Sequence, residues 1–133
     1  MSKSNRESAT APAQVRDLGS AHHVGEHWIR ERLWSAANLL LGVWLLASLL
    51  MLPGLDRRTL SEWLSGASGA VPMALFIVVA FKHGADGLKV AVDDYVHDDG
   101  NRLLINGLIL FLAVGGASLA LFALAKIAFS GAV

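Results

Sequence analysis

An uncharged, mostly apolar stretch from Leu33 to Leu55 is the feature that most restricts what this chain can fold into. About 20 apolar residues, each rising about 1.5 Å in an α-helix, cross the hydrocarbon core of a bilayer. A second uncharged stretch, from Leu103 to Ala125, is also long enough to cross. The sequence therefore predicts an all-α integral membrane protein.

The overall composition agrees with a membrane protein and excludes several other classes. Hydrophobic residues make up 54% of the 133 positions, and charged residues only 17%, whereas a soluble domain has about 25% charged residues. The formal net charge is zero, so nothing in the charge favours a nucleic-acid partner. The chain has no cysteine, which excludes disulfides, thiolate metal sites and thiol catalysis.

The charge pattern divides the chain into a polar tail and a membrane domain. Residues 1–30 form the tail, which lacks the apolar core of a secretory signal peptide, and residues 31–133 form the domain. Basic residues favour the side that holds the tail, which predicts a cytoplasmic N-terminus and a periplasmic C-terminus in the inner membrane of a cell. Three transmembrane helices are predicted, at about residues 33–53, 71–95 and 103–126.

The middle transmembrane helix is unusual because ionisable residues occupy its second half. Its apolar part ends at Phe81, which is too early to cross a bilayer, so the helix must continue to about Tyr95. A Lys or Asp near the centre of a membrane helix costs about 2.5–3.5 kcal/mol on insertion scales. The spacing predicts a charge ladder of (i, i+4) and (i, i+3) ion pairs along one side of the helix, formed by Lys82, Asp86, Lys89 and Asp93. We expect the ladder to face protein or a polar cofactor edge.

Beside the charge ladder, a second stripe contains His83, Gly87 and Asp94. His83 lies about 18 Å along the helix from Tyr95, near the middle of the bilayer. An imidazole is a good axial ligand for haem iron, and a glycine one turn later leaves room for a flat macrocycle. The alternative is a histidine that hydrogen-bonds a neighbouring helix. No second histidine lies at membrane depth, so a haem with two histidine ligands would need another subunit.

Asp94 and Tyr95 lie at the membrane boundary and allow two interpretations. A tyrosine at this depth is most often an interfacial anchor. Beside a carboxylate, its hydroxyl could instead donate a hydrogen bond to a quinone carbonyl, with protons arriving from the aqueous side.

The pattern His83-x3-Gly87-x6-Asp94-Tyr95, followed by Val96-His97, resembles the second helix of the small membrane anchor subunit of succinate dehydrogenase, the SdhD type. The resemblance implies that His83 binds haem b, with a histidine of an SdhC-type cytochrome b anchor subunit on the other side. It implies that Tyr95 contacts ubiquinone and that Asp94 borders the same site. The charge ladder is a departure, because it is more charged than this helix of the family leads us to expect.

The same resemblance points to an arginine near a haem propionate at the start of the first helix. In the segment RERLWSAAN, Arg32 precedes Ser35-Ala36 and is the first candidate, with Arg30 and His27 as weaker ones. The alternative for Arg32 is a cation that reaches the membrane surface without binding a cofactor.

These observations predict a non-catalytic anchor of succinate:ubiquinone oxidoreductase, respiratory complex II. Its helices would form part of a heteromeric helix bundle, together with an SdhC-type anchor, an iron–sulfur subunit and a flavoprotein subunit. Three alternatives remain open: the anchor of a fumarate reductase, a haem-free transporter or channel subunit that the charge ladder lines, and a membrane protein whose polar stripe only specifies helix pairing.

Overall fold

A computed structural model describes the backbone of residues 11–130 and the side chains of residues 28–130. These residues form α-helices and connections, and residues 11–130 contain no strand, which confirms the all-α prediction. Three of the helices are long and apolar enough to cross a membrane. The four helices in chain order are α1 (Ala11–Met51), α2 (Arg57–Ser65), α3 (Ala67–Tyr95) and α4 (Asp99–Phe129).

The first helix begins well before the predicted start of the first span. α1 starts at Ala11, inside the segment predicted as a polar tail, and its apolar part runs from Trp28 to Met51. It ends just before Pro53, which cannot continue a helix. The chain divides into two compact units, residues 1–33 and 34–133. The helix packing described below lies within the second unit.

The helix α2 is the element that the sequence interpretation missed, since only three transmembrane helices were predicted. The carboxylate of Asp56 caps the N-terminus of α2 by accepting hydrogen bonds from the backbone N–H groups of Arg58 and Thr59, at 3.1 and 3.2 Å. The Thr59 hydroxyl also donates to Asp56 at 2.6 Å. These hydrogen bonds hold the pKa of Asp56 below its usual value, and the bond from the Thr59 hydroxyl has the largest effect. An ion pair with Glu62 at 2.8 Å raises the pKa of Arg58.

Two close approaches hold α2 against the long helices. The ring of Trp63 stacks on Trp44 of α1, with centroids 5.7 Å apart. On its other side, the backbone carbonyl of Trp63 lies directly over Gly69 in the first turn of α3, where a Cβ atom would overlap the carbonyl oxygen. The buried Gly69 therefore lets the short helix lie on the long one.

The helices α3 and α4 form an antiparallel hairpin joined by residues 96–98. The side chain of Asp98 caps α4 by accepting the N–H of Asn101 at 2.8 Å. Midway along the hairpin Gly116 faces the ring of Phe81, and a Cβ atom there would lie 2.5 Å from Cε1. Small residues at such crossings let helices approach closely in lipid.

The described side chains build almost no interior of their own. Within residues 28–130, the buried apolar side chains are Val79, Ala85 and Leu124. Most large apolar side chains of the three long helices are exposed in the isolated chain. This is the surface that a multi-pass membrane protein presents to lipid and to neighbouring subunits.

Candidate functional site

The second half of α3 carries the candidate site, and the continuous helix fixes the spacing of its residues. His83 is half-buried and lies twelve residues before Tyr95, or about 18 Å along the axis. Among residues 28–130, His83 makes no hydrogen bond or ion pair. A hydrogen bond from His83 to another described helix of this chain is therefore not formed.

The surface beside His83 is open enough for a flat ligand. A Cβ atom added at Gly84 or Gly87 would meet no atom within 4 Å, so both glycines leave space next to the imidazole. No group of three or more metal-binding side chains occurs among the residues with described side chains, but an axial haem contact needs only one imidazole from each side. The residues present thus fit a haem bound through His83.

Asp94 and Tyr95 end α3 and are both exposed. Tyr95 is the last residue of the helix and is 83% exposed. Neither side chain makes a hydrogen bond or ion pair to the rest of the described chain. The phenol hydroxyl is therefore available to donate to a carbonyl oxygen, and the neighbouring carboxylate is available to exchange protons with water.

Arg32 lies at the start of the apolar part of α1, where the resemblance expects a propionate-binding arginine. Its guanidinium stacks over the ring of Trp28, one turn earlier, at 4.1 Å from the centroid. A cation on an aromatic face is typical of an interfacial residue and leaves the outer N–H groups free. Arg30 is exposed on the same helix. The side chain of His27 lies outside the described part of the chain.

The charge ladder forms only in part. Lys82 forms an ion pair with Asp86, as predicted, and its Nζ lies 5.9 Å from the ring centroid of Trp34 on α1. The predicted pairs of Lys89 with Asp86 and with Asp93 are wrong, because Lys89 makes no ion pair with either carboxylate. Asp86 is held by Lys82. Asp93 accepts a hydrogen bond from the Nδ2 atom of Asn106 on α4 at 3.4 Å.

Two open cavities lie on opposite sides of the contact between α3 and α4. The first has a volume of about 400 Å³ and a wholly apolar lining that includes Gly84, Leu88 and Leu112. The second has a volume of about 280 Å³ and combines apolar residues of α4 with Lys82, Asp86 and Lys89. These three members of the charge ladder therefore line a groove between two helices of this chain, and Asp93 does not.

Two asparagines of the long helices were missed by the sequence interpretation. The Oδ1 atoms of Asn38 on α1 and Asn106 on α4 are buried and accept no hydrogen bond from residues 28–130. Both residues interrupt otherwise apolar transmembrane stretches, and that interruption is the sequence signal that could have identified them. A buried amide oxygen normally finds a partner, so these two atoms are exceptions within the described part of the chain.

Comparisons with known proteins agree on one family. The family model described as the succinate dehydrogenase/fumarate reductase transmembrane subunit matches residues 6–125. The succinate dehydrogenase hydrophobic membrane anchor subunit of Rickettsia conorii is 26% identical over 95 residues, which cover 69% of this chain and 75% of the relative. The subunit of the same name from Rickettsia bellii is 23% identical over 83 residues, which cover 62% of this chain and 66% of the relative. No solved structure matches the chain significantly.

Proposed function

This chain belongs to the succinate dehydrogenase/fumarate reductase transmembrane subunit family, and from that premise we propose that it anchors a succinate:ubiquinone oxidoreductase in the inner membrane. Its N-terminus lies in the cytoplasm and its C-terminus in the periplasm. An SdhC-type anchor shares the membrane with it, and the iron–sulfur and flavoprotein subunits bind the cytoplasmic surface. Both named relatives are anchors of succinate dehydrogenase, which supports succinate oxidation as the direction of the reaction.

His83 is the residue through which this chain binds haem b in the proposed function. Three observations support this role: the imidazole is half-buried, it has no hydrogen-bond partner among the described residues, and open glycines lie beside it. When bound, the haem supplies a centre that gains and loses one electron at a time. The helix holds the imidazole at mid-membrane depth, and Gly84 and Gly87 leave the space that the macrocycle needs.

Tyr95 and Asp94 contribute to the quinone site. The exposed phenol donates a hydrogen bond to a quinone carbonyl oxygen, which stabilises the negative charge that develops there on reduction. Asp94 exchanges protons with the aqueous phase beside it. The exposure of both residues at the end of α3 supports this role. Arg32, which stacks on Trp28 and makes no hydrogen bond to residues 28–130, is the residue that we assign to a haem propionate.

His83, which lies beside open glycines and has no hydrogen-bond partner in residues 28–130, is the observation that carries the proposal. An optical experiment tests it. The purified complex is compared by reduced-minus-oxidised spectroscopy as wild type, His83→Ala and His97→Ala. His97 is an exposed histidine outside the helices and serves as the matched control. We expect a b-type signal that His83→Ala removes or shifts and that His97→Ala leaves unchanged. A complex without haem, or an unchanged signal in His83→Ala, would contradict the haem assignment.

The quinone assignment is tested separately. Tyr95→Phe removes the hydroxyl and leaves the ring, so succinate-driven quinone reduction should fall while the haem spectrum and the oxidation of succinate by a soluble acceptor persist. Unchanged quinone reduction in Tyr95→Phe would show that the tyrosine is only an interfacial anchor.

A further inference from the structure

Lys89 is the one member of the charge ladder without a partner in residues 28–130. We propose that Lys89 binds a carboxylate on a membrane helix of another subunit of the complex. The proposal rests on the proposed heteromeric complex but not on its haem or its quinone. It assigns a partner to a surface of α3 that lies away from His83.

The position of Lys89 in the membrane leaves its charge poorly solvated. The residue is half-buried and lies six positions, about 9 Å, before Tyr95 at the boundary. The Cα–Cβ bonds of a helix tilt toward its N-terminus, so the side chain of Lys89 starts out toward the middle of the membrane. To reach water at the nearer surface, it would have to turn back along the helix. An ammonium in this place is stabilised far better by a nearby negative charge.

Lys89 forms no ion pair with any residue of the described part of this chain. Asp86 already forms an ion pair with Lys82, and the Asp93 carboxylate accepts a hydrogen bond from the side-chain amide of Asn106. On the facing side of the groove, α4 contributes only uncharged residues, among them Ala113, Ala117 and Ser118. Among the described residues that line the groove, Lys82 and Asp86 neutralise each other, and Lys89 is left as one unbalanced positive charge.

The lining of the groove and its depth in the membrane favour a helix as the occupant. It has a volume of about 280 Å³, and small residues of α4 form part of its wall, which allows close approach of another helix. A haem bound by His83 fits less well, because Lys89 lies about 120° around α3 from His83. A lipid phosphate remains at the membrane surface, about 9 Å away along the axis. An aspartate or glutamate on a neighbouring transmembrane helix matches both the charge and the depth.

Cross-linking of the wild-type complex tests the contact directly. A hydrophobic carbodiimide joins a lysine amine to a carboxylate only when the two groups touch, and peptide mass spectrometry then identifies both residues. We expect a peptide containing Lys89 joined to an Asp or Glu of another membrane subunit. A cross-link from Lys89 only to Asp86 or Asp93, or no cross-link at Lys89, would overturn the proposal.

Matched substitutions test whether the contact holds the subunits together. Lys89→Met keeps the length of the side chain and removes its charge, Lys89→Arg keeps the charge, and Lys126→Met is the control at an exposed lysine near the end of α4. A buried carboxylate left unpaired is strongly destabilising, so we expect about tenfold less of the other membrane subunit to co-purify with Lys89→Met. Lys89→Arg and Lys126→Met should resemble the wild type.

Two other outcomes would overturn the proposal, and each would identify a different ligand. Normal co-purification of Lys89→Met with loss of haem would indicate a haem propionate, and loss of bound phospholipid alone would indicate a lipid. A His83→Ala complex that lacks haem but retains the cross-link would leave this inference intact. A wild-type chain that co-purifies with no other membrane subunit would refute both this inference and the proposed function.

Discussion

Replacing Gly69 by alanine should detach α2 from the membrane helices, and the structure gives the size of the effect. The new methyl group would overlap the carbonyl oxygen of Trp63, which belongs to the backbone and cannot rotate away. Overpacking costs about 1–3 kcal/mol, and contact with a fixed backbone atom puts this site near the upper end. Because alanine is a better helix former than glycine, the substitution also stabilises the folded state by about 0.5–1 kcal/mol. The net loss is about 2 kcal/mol, or about 30-fold in the ratio of folded to unfolded chain.

Unfolding of the chain in mixed micelles, followed by tryptophan fluorescence, measures this loss, because Trp63 stacks on Trp44 only when α2 is docked. The matched control is Gly84→Ala in the same helix, where a Cβ atom meets nothing within 4 Å. We expect the control to be as stable as the wild type or slightly more so. Equal stabilities of Gly69→Ala and Gly84→Ala would refute the argument that the carbonyl of Trp63 restricts this position.

Two further predictions concern the contact between α3 and α4 and the cap of α2. Gly116→Val should destabilise the hairpin by about 1–3 kcal/mol in the same unfolding assay, and Gly115→Val, at an open position, should not; equal effects would contradict the contact with Phe81. The lowered pKa of Asp56 means that its cap is fully formed above the usual value of 3.8 and is lost as the pH falls through the lowered pKa. The backbone chemical shifts of α2 should therefore report a loss of helicity in acid. In Asp56→Ala, which lacks the capping carboxylate, the shifts should match those of the wild type in acid at every pH.

The membrane spans could be predicted from the sequence because lipid imposes a simple rule. A run such as Leu33 to Leu55 has no charge and enough length, and few other structures can accommodate it. The continuation of the middle span through its charged segment also followed from length alone, since the apolar part before Phe81 was too short. The helix α3 runs from Ala67 to Tyr95, so it starts four residues before the predicted span and includes the charged segment.

The helix α2 escaped prediction because its length and composition give a weak signal. It has nine residues, its polar face is exposed, and its stability comes from the Asp56 cap and from packing on Gly69. Neither of these contacts is visible as periodicity over so short a segment. The partners of Lys89 were mispredicted for a related reason: spacing along one helix cannot show that Asp93 turns toward Asn106 on another.

The scarcity of buried side chains, limited among the described residues to three small or medium apolar ones, has a consequence for how the cell sets the amount of this protein. A chain with so small an interior gains most of its stability by mass action, from molecules that bind its folded form. Its abundance should then follow the supply of its companion subunits rather than its own rate of synthesis. Copies made in excess would remain marginally folded and be removed by proteolysis, so the ratio of subunits would be corrected after translation.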